Sequence, residues 1–167
     1  TDLACELAVD GSASMAYQGE RAGLSKYRYA SILAATMAHL VLGQQDRVGL
    51  MLFAAQAVRE LPAARQGQLE RVCHALEAHA PAGGTNPHKG LEHLNAPSVP
   101  KGLVVFISDF LTDIDAIARA IDRLAHRGHD VALVWILDPD ELDLGVATVS
   151  RFDGLEGEGT ITVEPRA

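Results

Sequence analysis

Apolar residues along this chain fall into short continuous runs separated by stretches with helical spacing, and that alternation sets the expected architecture. Leu3 to Val9 is the first run. Arg47 to Phe53 is the second, and its core Val48-Gly49-Leu50-Met51-Leu52-Phe53 has no polar alternation, as befits a strand covered on both faces. Leu103-Val104-Val105-Phe106-Ile107 and Val131 to Leu137 repeat the pattern. Ala57 to Leu61 alternates instead and stops at Pro62, which suits an edge strand antiparallel to its neighbour, since proline cannot donate to a ladder. A polar loop, Ala16 to Ser25, leads into a helix with Tyr29, Ile32, Leu33, Thr36, Met37, Leu40 and Val41 on one face and Gly43 at its close. Gln66 to His79 places Leu69, Val72, Cys73 and Leu76 on one side of a second helix, and a short helix follows Pro87. After a loop punctuated by Pro97 and Pro100, Thr112-Asp113-Ile114-Asp115 opens another helix with a cap and with acids where the helix dipole favours them. Ile114, Ile117, Ile121 and Leu124 form its expected buried stripe, and Gly128 its C-terminal cap. Val146 to Val163 is less regular, with Gly154, Gly157 and Gly159 marking a turn before Thr160 to Val163.

Strands alternating with helices predict an α/β fold: a doubly wound, mostly parallel sheet with helices on both faces. A chain of 167 residues forms one core and buries about 70% of its unfolded surface. No repeat or linker divides it, so residues 1–167 are read as a single domain. Because Thr1 stands almost directly on a strand, that domain is expected to be a portion of a longer protein.

Composition narrows the partners. The chain is 48% hydrophobic, and no apolar run approaches the roughly 20 residues that span a bilayer, so this domain is expected to make no membrane contact itself. A net charge of -8 with a pI near 5.2 and no basic stripe argues against nucleic acid and leaves a protein partner as the expectation. Cys5 and Cys73 both fall on apolar faces and are read as buried thiols in a reducing compartment rather than as a disulfide.

The chemistry lies where the apolar runs end. Asp10-Gly11-Ser12-Ala13-Ser14 puts a carboxylate and two hydroxyls at alternate positions as the first strand gives way to a turn. Gly83-Gly84-Thr85 adds a hydroxyl on a loop whose glycines permit close approach, and Ser108-Asp109 adds a second carboxylate at a second strand end. Ligands of open parallel sheets collect beyond the carboxyl ends of strands, near the point where strand order reverses. Oxygen donors of this type suit a hard cation, Mg²⁺ first, with Mn²⁺ or Ca²⁺ as substitutes.

Asp10, Ser12, Ser14, Thr85 and Asp109, in this order of elements, resemble the metal-ion-dependent adhesion site of von Willebrand factor type A domains. Ser14-Met15, Lys26-Tyr27, Asp46-Arg47-Val48-Gly49, Ile107-Ser108-Asp109-Phe110 and Asp138-Pro139-Asp140-Glu141 resemble one bacterial subgroup, the domain-of-unknown-function family 58 associated with MoxR-type AAA+ ATPases. The resemblance implies six strands in the order 3-2-1-4-5-6, which sets the strands of Asp10 and Asp109 side by side. It implies a metal held by those five residues, with one coordination position left for an Asp or Glu of a partner protein. It further implies a non-enzymatic binding role, a MoxR-type AAA+ ATPase as a candidate partner, and a cytoplasmic domain of a parent protein that can be membrane-anchored.

Other readings compete with these. An aspartate after the first strand also serves phosphatases that form aspartyl-phosphates, so an Mg²⁺-dependent phosphatase or hydrolase is the alternative. Ser12 stands where such an enzyme needs its second acid, and neither a phosphate-binding loop nor a nucleophile elbow is present. The seven histidines, including the pairs His74 and His79 and His88 and His93, lack the spacing of a helical zinc pair and are read as surface or partly buried. The run Asp138, Asp140, Glu141 and Asp143 lacks the pattern of a calcium loop and is read as solvated.

Overall fold

A computed structural model describes residues 3–54, 58–84, 87–96, 99–111, 113–142, 150–153 and 160–163. Its main sheet contains β1 (Ala4–Asp10), β2 (Arg47–Phe53), β3 (Val58–Ala64), β4 (Leu103–Ser108) and β5 (Asp130–Trp135) in the order β3-β2-β1-β4-β5. β1, β2, β4 and β5 run parallel, and β3 runs antiparallel to β2 at one edge. Residues pair Val9 with Ile107 across β1 and β4, which sets Asp10 and Asp109 at the same sheet end beside the central crossover.

Among the described residues the main sheet has five strands rather than six. β6 (Ser150–Asp153) and β7 (Thr160–Val163) pair with each other as a separate antiparallel ribbon. Strands of four residues form few ladder bonds, and a hairpin satisfies them locally without a crossover. β5 is therefore an edge of the main sheet, with Leu133 and Trp135 exposed, although its apolar run resembles that of a covered strand.

β3 does not stop at Pro62 but runs through it to Ala64. The register slips between the Leu50–Leu61 and Val48–Ala64 pairs, and a bulge at an edge is where a missing N–H is tolerated. The buried Gln68 side chain completes this bend by donating to the carbonyls of Val48, at 2.8 Å, and Pro62, at 3.0 Å.

Helices cover both faces. α1 (Lys26–Gly43) and α2 (Gln68–Ala78) share a core with Leu7, Val9, Leu50, Leu52, Val105 and Ile107. α3 (Pro87–Leu94) and α4 (Ile114–His126) pack on the other face against Ala8, Met51, Phe53 and Phe106. α5 (Pro139–Leu142) is a single turn beyond β5. The buried side of α1 is Tyr27, Ala30, Ser31, Ala34 and Ala38, whereas Tyr29 and Leu40 are 56% and 59% exposed. Small residues let the helix axis approach the sheet, so of the expected face Tyr29, Ile32, Thr36 and Leu40 turn outward while Leu33, Met37 and Val41 pack half-buried against the core. On α2, Val72 and Leu76 are buried as expected, with Ala75 beside them, while Leu69 and Cys73 are only partly covered. On α4 the buried stripe is Ile117, Ala120 and Leu124, and Ile114 stands 70% exposed in the first turn. The caps behave as expected: Asp113 accepts from the N–H groups of Asp115 and Ala116, and Gly128 adopts φ +88° after the helix. Both cysteines are free. His129, read as surface or partly buried, is buried instead.

Candidate functional site

The site begins where β1 ends. The Gly11 N–H donates to Phe53 O at 2.8 Å, extending the β1–β2 pairing by one bond before the chain enters a 3₁₀ turn over Ala13–Ala16. A side chain at position 11 would collide with the ring of His79, whose Nε2 lies 3.0 Å from Gly11 O.

Asp10, Ser12 and Ser14 are all buried. Asp10 Oδ1 accepts the Ser12 N–H at 2.9 Å, the local turn favoured by a short acidic side chain. Asp10 Oδ2 accepts the Ser108 hydroxyl at 2.6 Å across the β1–β4 boundary. The hydroxyl oxygens of Ser12 and Ser14 are 3.1 Å apart. Adjacent ligands of an octahedral Mg²⁺ at 2.0–2.1 Å stand about 3 Å apart, so this spacing matches a neighbouring pair of donors.

The glycine loop is tied to the same turn. Ala13 N–H donates to Gly83 O at 2.8 Å, and Ala82 N–H to Gly11 O at 3.1 Å. These bonds hold residues 82–83 against the Asp10 motif. Thr85, the hydroxyl expected from this loop, lies outside the described residues, as do Thr112 and Asp143.

Asp109 follows β4 on the opposite parity from Ser108, so it turns toward α1 rather than toward Asp10's face. Its Oδ1 accepts the Leu111 N–H at 3.2 Å, and its Oδ2 accepts the Lys26 ammonium at 2.9 Å. Lys26 is only 3% exposed and also reaches Glu141 Oε1 at 2.6 Å. The Trp135 indole N–H donates to Asp109 O at 2.9 Å. Phe110, immediately after, sits at φ +53°, a left-handed conformation that costs a non-glycine residue about 1 kcal/mol or more. Its ring packs against Phe106, and its N–H donates to the Ser108 hydroxyl at 3.0 Å.

The acidic run expected to be solvated is a clamp. Asp138 is buried and accepts the Gly19 N–H at 2.8 Å, while Asp140 accepts from Glu20 N–H and the Arg21 guanidinium. Asp138 and Asp140 each have a partner on the polar loop before α1, and Glu141 meets Lys26 at the start of that helix, so these three acids fold inward. The Arg21 guanidinium holds the Asp140 carboxyl below its ordinary value.

Burial pushes the Asp10 carboxyl upward, hydrogen bonds from Ser108 and Ser12 pull against it, and the nearby charge of Asp109 adds to the upward push. A cation would relieve that cost. For Lys26, burial works against the charged form, but hydrogen bonds to Glu141 and Asp109 outweigh it and hold the ammonium above its usual range. Among the described residues no three His, Cys, Asp or Glu side chains gather to hold a metal. The donors gathered here are the Asp10 carboxylate and the Ser12 and Ser14 hydroxyls, hard oxygen ligands of the kind that fit Mg²⁺.

Sequence reasoning did not select Ser108, Lys26, Glu141 or Asp138 as parts of the site. Ser108 has a legible signal: once β1 and β4 are neighbours, it falls on the same face as Asp10. Lys26 has none, since a lysine opening a helix ordinarily points into solvent and opposes the helix dipole.

A family model described as "Protein of unknown function DUF58" matches residues 1–167. Among solved structures, an aerotolerance-related membrane protein from Bacteroides fragilis superposes with TM-score 0.66 at 20% identity, over 97% of this chain and 81% of that one. The conserved hypothetical protein BatB from Bacteroides thetaiotaomicron gives TM-score 0.65 at 19% identity, over 97% and 80%. The von Willebrand factor domain of the type V pili tip protein Mfa5 from Porphyromonas gingivalis gives 0.54 at 16% identity, over 66% and 38%. No curated protein matches the chain.

Proposed function

Since the chain belongs to the DUF58 family and shares its fold with a von Willebrand factor domain, we propose that it is a non-enzymatic protein-binding module whose contact point is the oxygen cluster at the ends of β1 and β4. The observation that carries this reading is the buried grouping of Asp10, Ser12 and Ser14, with two hydroxyl oxygens 3.1 Å apart, at the sheet end where Asp109 also lies. Asp10, Ser12 and Ser14 would hold the cation, and Asp109, with Thr85 from the glycine loop, would complete the set. A bound Mg²⁺ supplies positive charge with a coordination position for a carboxylate of a partner protein.

The chain's own groups prepare this contact. Ser108 and the Ser12 N–H orient the Asp10 carboxylate, and the backbone bonds to Ala82 and Gly83 keep the glycine loop close. Ser12 and Ser14 contribute oxygen without adding charge, so positive charge is left for an acidic partner. A phosphoryl-transfer enzyme on this scaffold would want an acid at position 12, where a serine faces Ser14 instead.

The partner is proposed to be a protein with an exposed Asp or Glu, with a MoxR-type AAA+ ATPase as the first candidate. Among the described residues no helix is long and apolar enough to cross a membrane. A cytoplasmic domain within a membrane-anchored parent is part of this proposal, supported by the membrane protein from Bacteroides fragilis among the similar structures.

The test is the binding of synthetic Glu-containing and matched Gln-containing peptides, with Mg²⁺ or with EDTA. Binding of the Glu series that requires Mg²⁺ and is lost in Asp10→Ala is the expected result. Equal binding of both series, or indifference to EDTA, overturns it. A parallel assay with an aryl phosphate and Mg²⁺ separates the enzyme reading, since turnover abolished by Asp10→Asn would replace the binding module with a phosphatase.

A further inference from the structure

Lys26 is the least expected group in this region. It opens α1, where the partial positive charge of the helix N-terminus repels an ammonium, yet its side chain is directed inward and is 2% exposed. Two carboxylates offset that arrangement: Asp109, fully buried, at 2.9 Å and Glu141 at 2.6 Å. Nearby, the Arg21 guanidinium engages Asp140 and the Pro139 carbonyl.

We propose that the Lys26 ammonium is a built-in counter-ion to Asp109 that weakens the affinity of the cluster for a divalent cation and leaves a bound cation with more uncompensated charge for an acidic partner. This inference deepens the proposed reading of the site and rests on it. Asp10 and Asp109 together carry two negative charges, enough to neutralise a divalent cation. With Lys26 fixed on Asp109, the Asp109–Lys26 pair contributes little net charge, and Asp10 alone faces the cation with a full one. The same ammonium repels a second positive charge at the site. Glu141 moderates both effects by sharing the lysine, which makes the pair Lys26–Glu141 a setting of cation affinity. The residue positions charge and does not itself act as a ligand.

Calorimetric titration with Mn²⁺ alone, repeated as the Mn²⁺-induced rise in melting temperature, measures this directly. Lys26→Met is expected to bind Mn²⁺ at least about tenfold more tightly than the wild type, as removal of a fixed like charge requires. Lys26→Arg keeps the charge and is expected to stay near the wild type. Glu141→Gln leaves the ammonium on Asp109 alone and is expected to bind Mn²⁺ more weakly. Binding by Lys26→Met where the wild type shows none supports the inference as well. If Asp10→Ala abolishes Mn²⁺ binding while Lys26→Met binds equally or more weakly than the wild type, the counter-ion role is overturned and the metal centre survives. If neither the wild type nor Lys26→Met binds Mn²⁺, the metal centre itself fails and the inference with it. Should Lys26→Met not fold, Glu141→Gln decides, and unchanged or tighter binding there overturns the proposal.

Discussion

Two carboxylates project from the same face of β1, four residues apart, and they are treated in opposite ways. Asp10, at the strand end, is met by a hydroxyl, a backbone N–H and two nearby serines. Glu6, in the middle of the strand, lies over Gly49, whose missing side chain leaves room for its carboxylate. Burial, with the charge of Glu60 adding to it and Arg47 opposing, pushes the Glu6 carboxyl up to about 7. Both groups are buried acids on one strand, so burial alone does not distinguish a site. What distinguishes Asp10 is that its neighbours bring further oxygen atoms at ligand spacing, whereas the charged neighbours of Glu6 are another acid and an arginine.

Breaking the partnered region should have the largest effect. Lys26→Met leaves Asp109 buried with its cation removed, and loss of one partner of a buried pair costs about 3–5 kcal/mol, readable as a lowered denaturant midpoint without metal. The unpartnered region should respond with the opposite sign. The folded state holds the Glu6 proton more tightly than the unfolded chain, whose value is the ordinary 4.5. That contribution to stability is full below 4.5 and is lost as the pH rises to about 7. Glu6→Gln should therefore be more stable than the wild type by about 3 kcal/mol at pH 8 and indistinguishable at pH 4, compared by urea unfolding at the two pH values.

A smaller effect sharpens the comparison from the other side. Ser108→Ala removes a hydroxyl bonded to the Asp10 carboxylate and should cost about 2 kcal/mol while moving Asp10 further above its usual range, as read from the NMR titration of its carboxyl carbon. Asp113→Ala gives a baseline, because that exposed acid only caps α4. Its loss should cost about 1 kcal/mol and leave Mn²⁺ binding unchanged.

The parallel strands were legible because apolar runs of five to seven residues have few other fates in a chain with alternating helices, whereas their order came from the family resemblance, whose sixth strand is absent from the main sheet among the described residues. The convergence of Asp10, Ser12 and Ser14 was legible in the same way, as polar residues placed where such a run ends. The buried side of α1 was not, since hydrophobicity weights Ile32 and Leu40 above the alanines, while close packing on a sheet selects Ala30, Ala34 and Ala38. The exposure of β5 escaped for a related reason: Leu133 and Trp135 look the same in sequence whether or not another strand lies beside them. The fate of Lys26 and of Asp138, Asp140 and Glu141 depends on loops about 115 residues apart meeting at the sheet end, which no local pattern encodes.

Asp10, Ser12, Ser14 and Asp109 are proposed to surround one cation. Anomalous diffraction from crystals grown with Mn²⁺ tests it most directly. A single strong peak is expected at coordination distance from the Ser12 and Ser14 hydroxyls, with Asp10 and Asp109 around it. No peak at that position in crystals where Mn²⁺ orders elsewhere, for instance between Asp138 and Asp140, would contradict it.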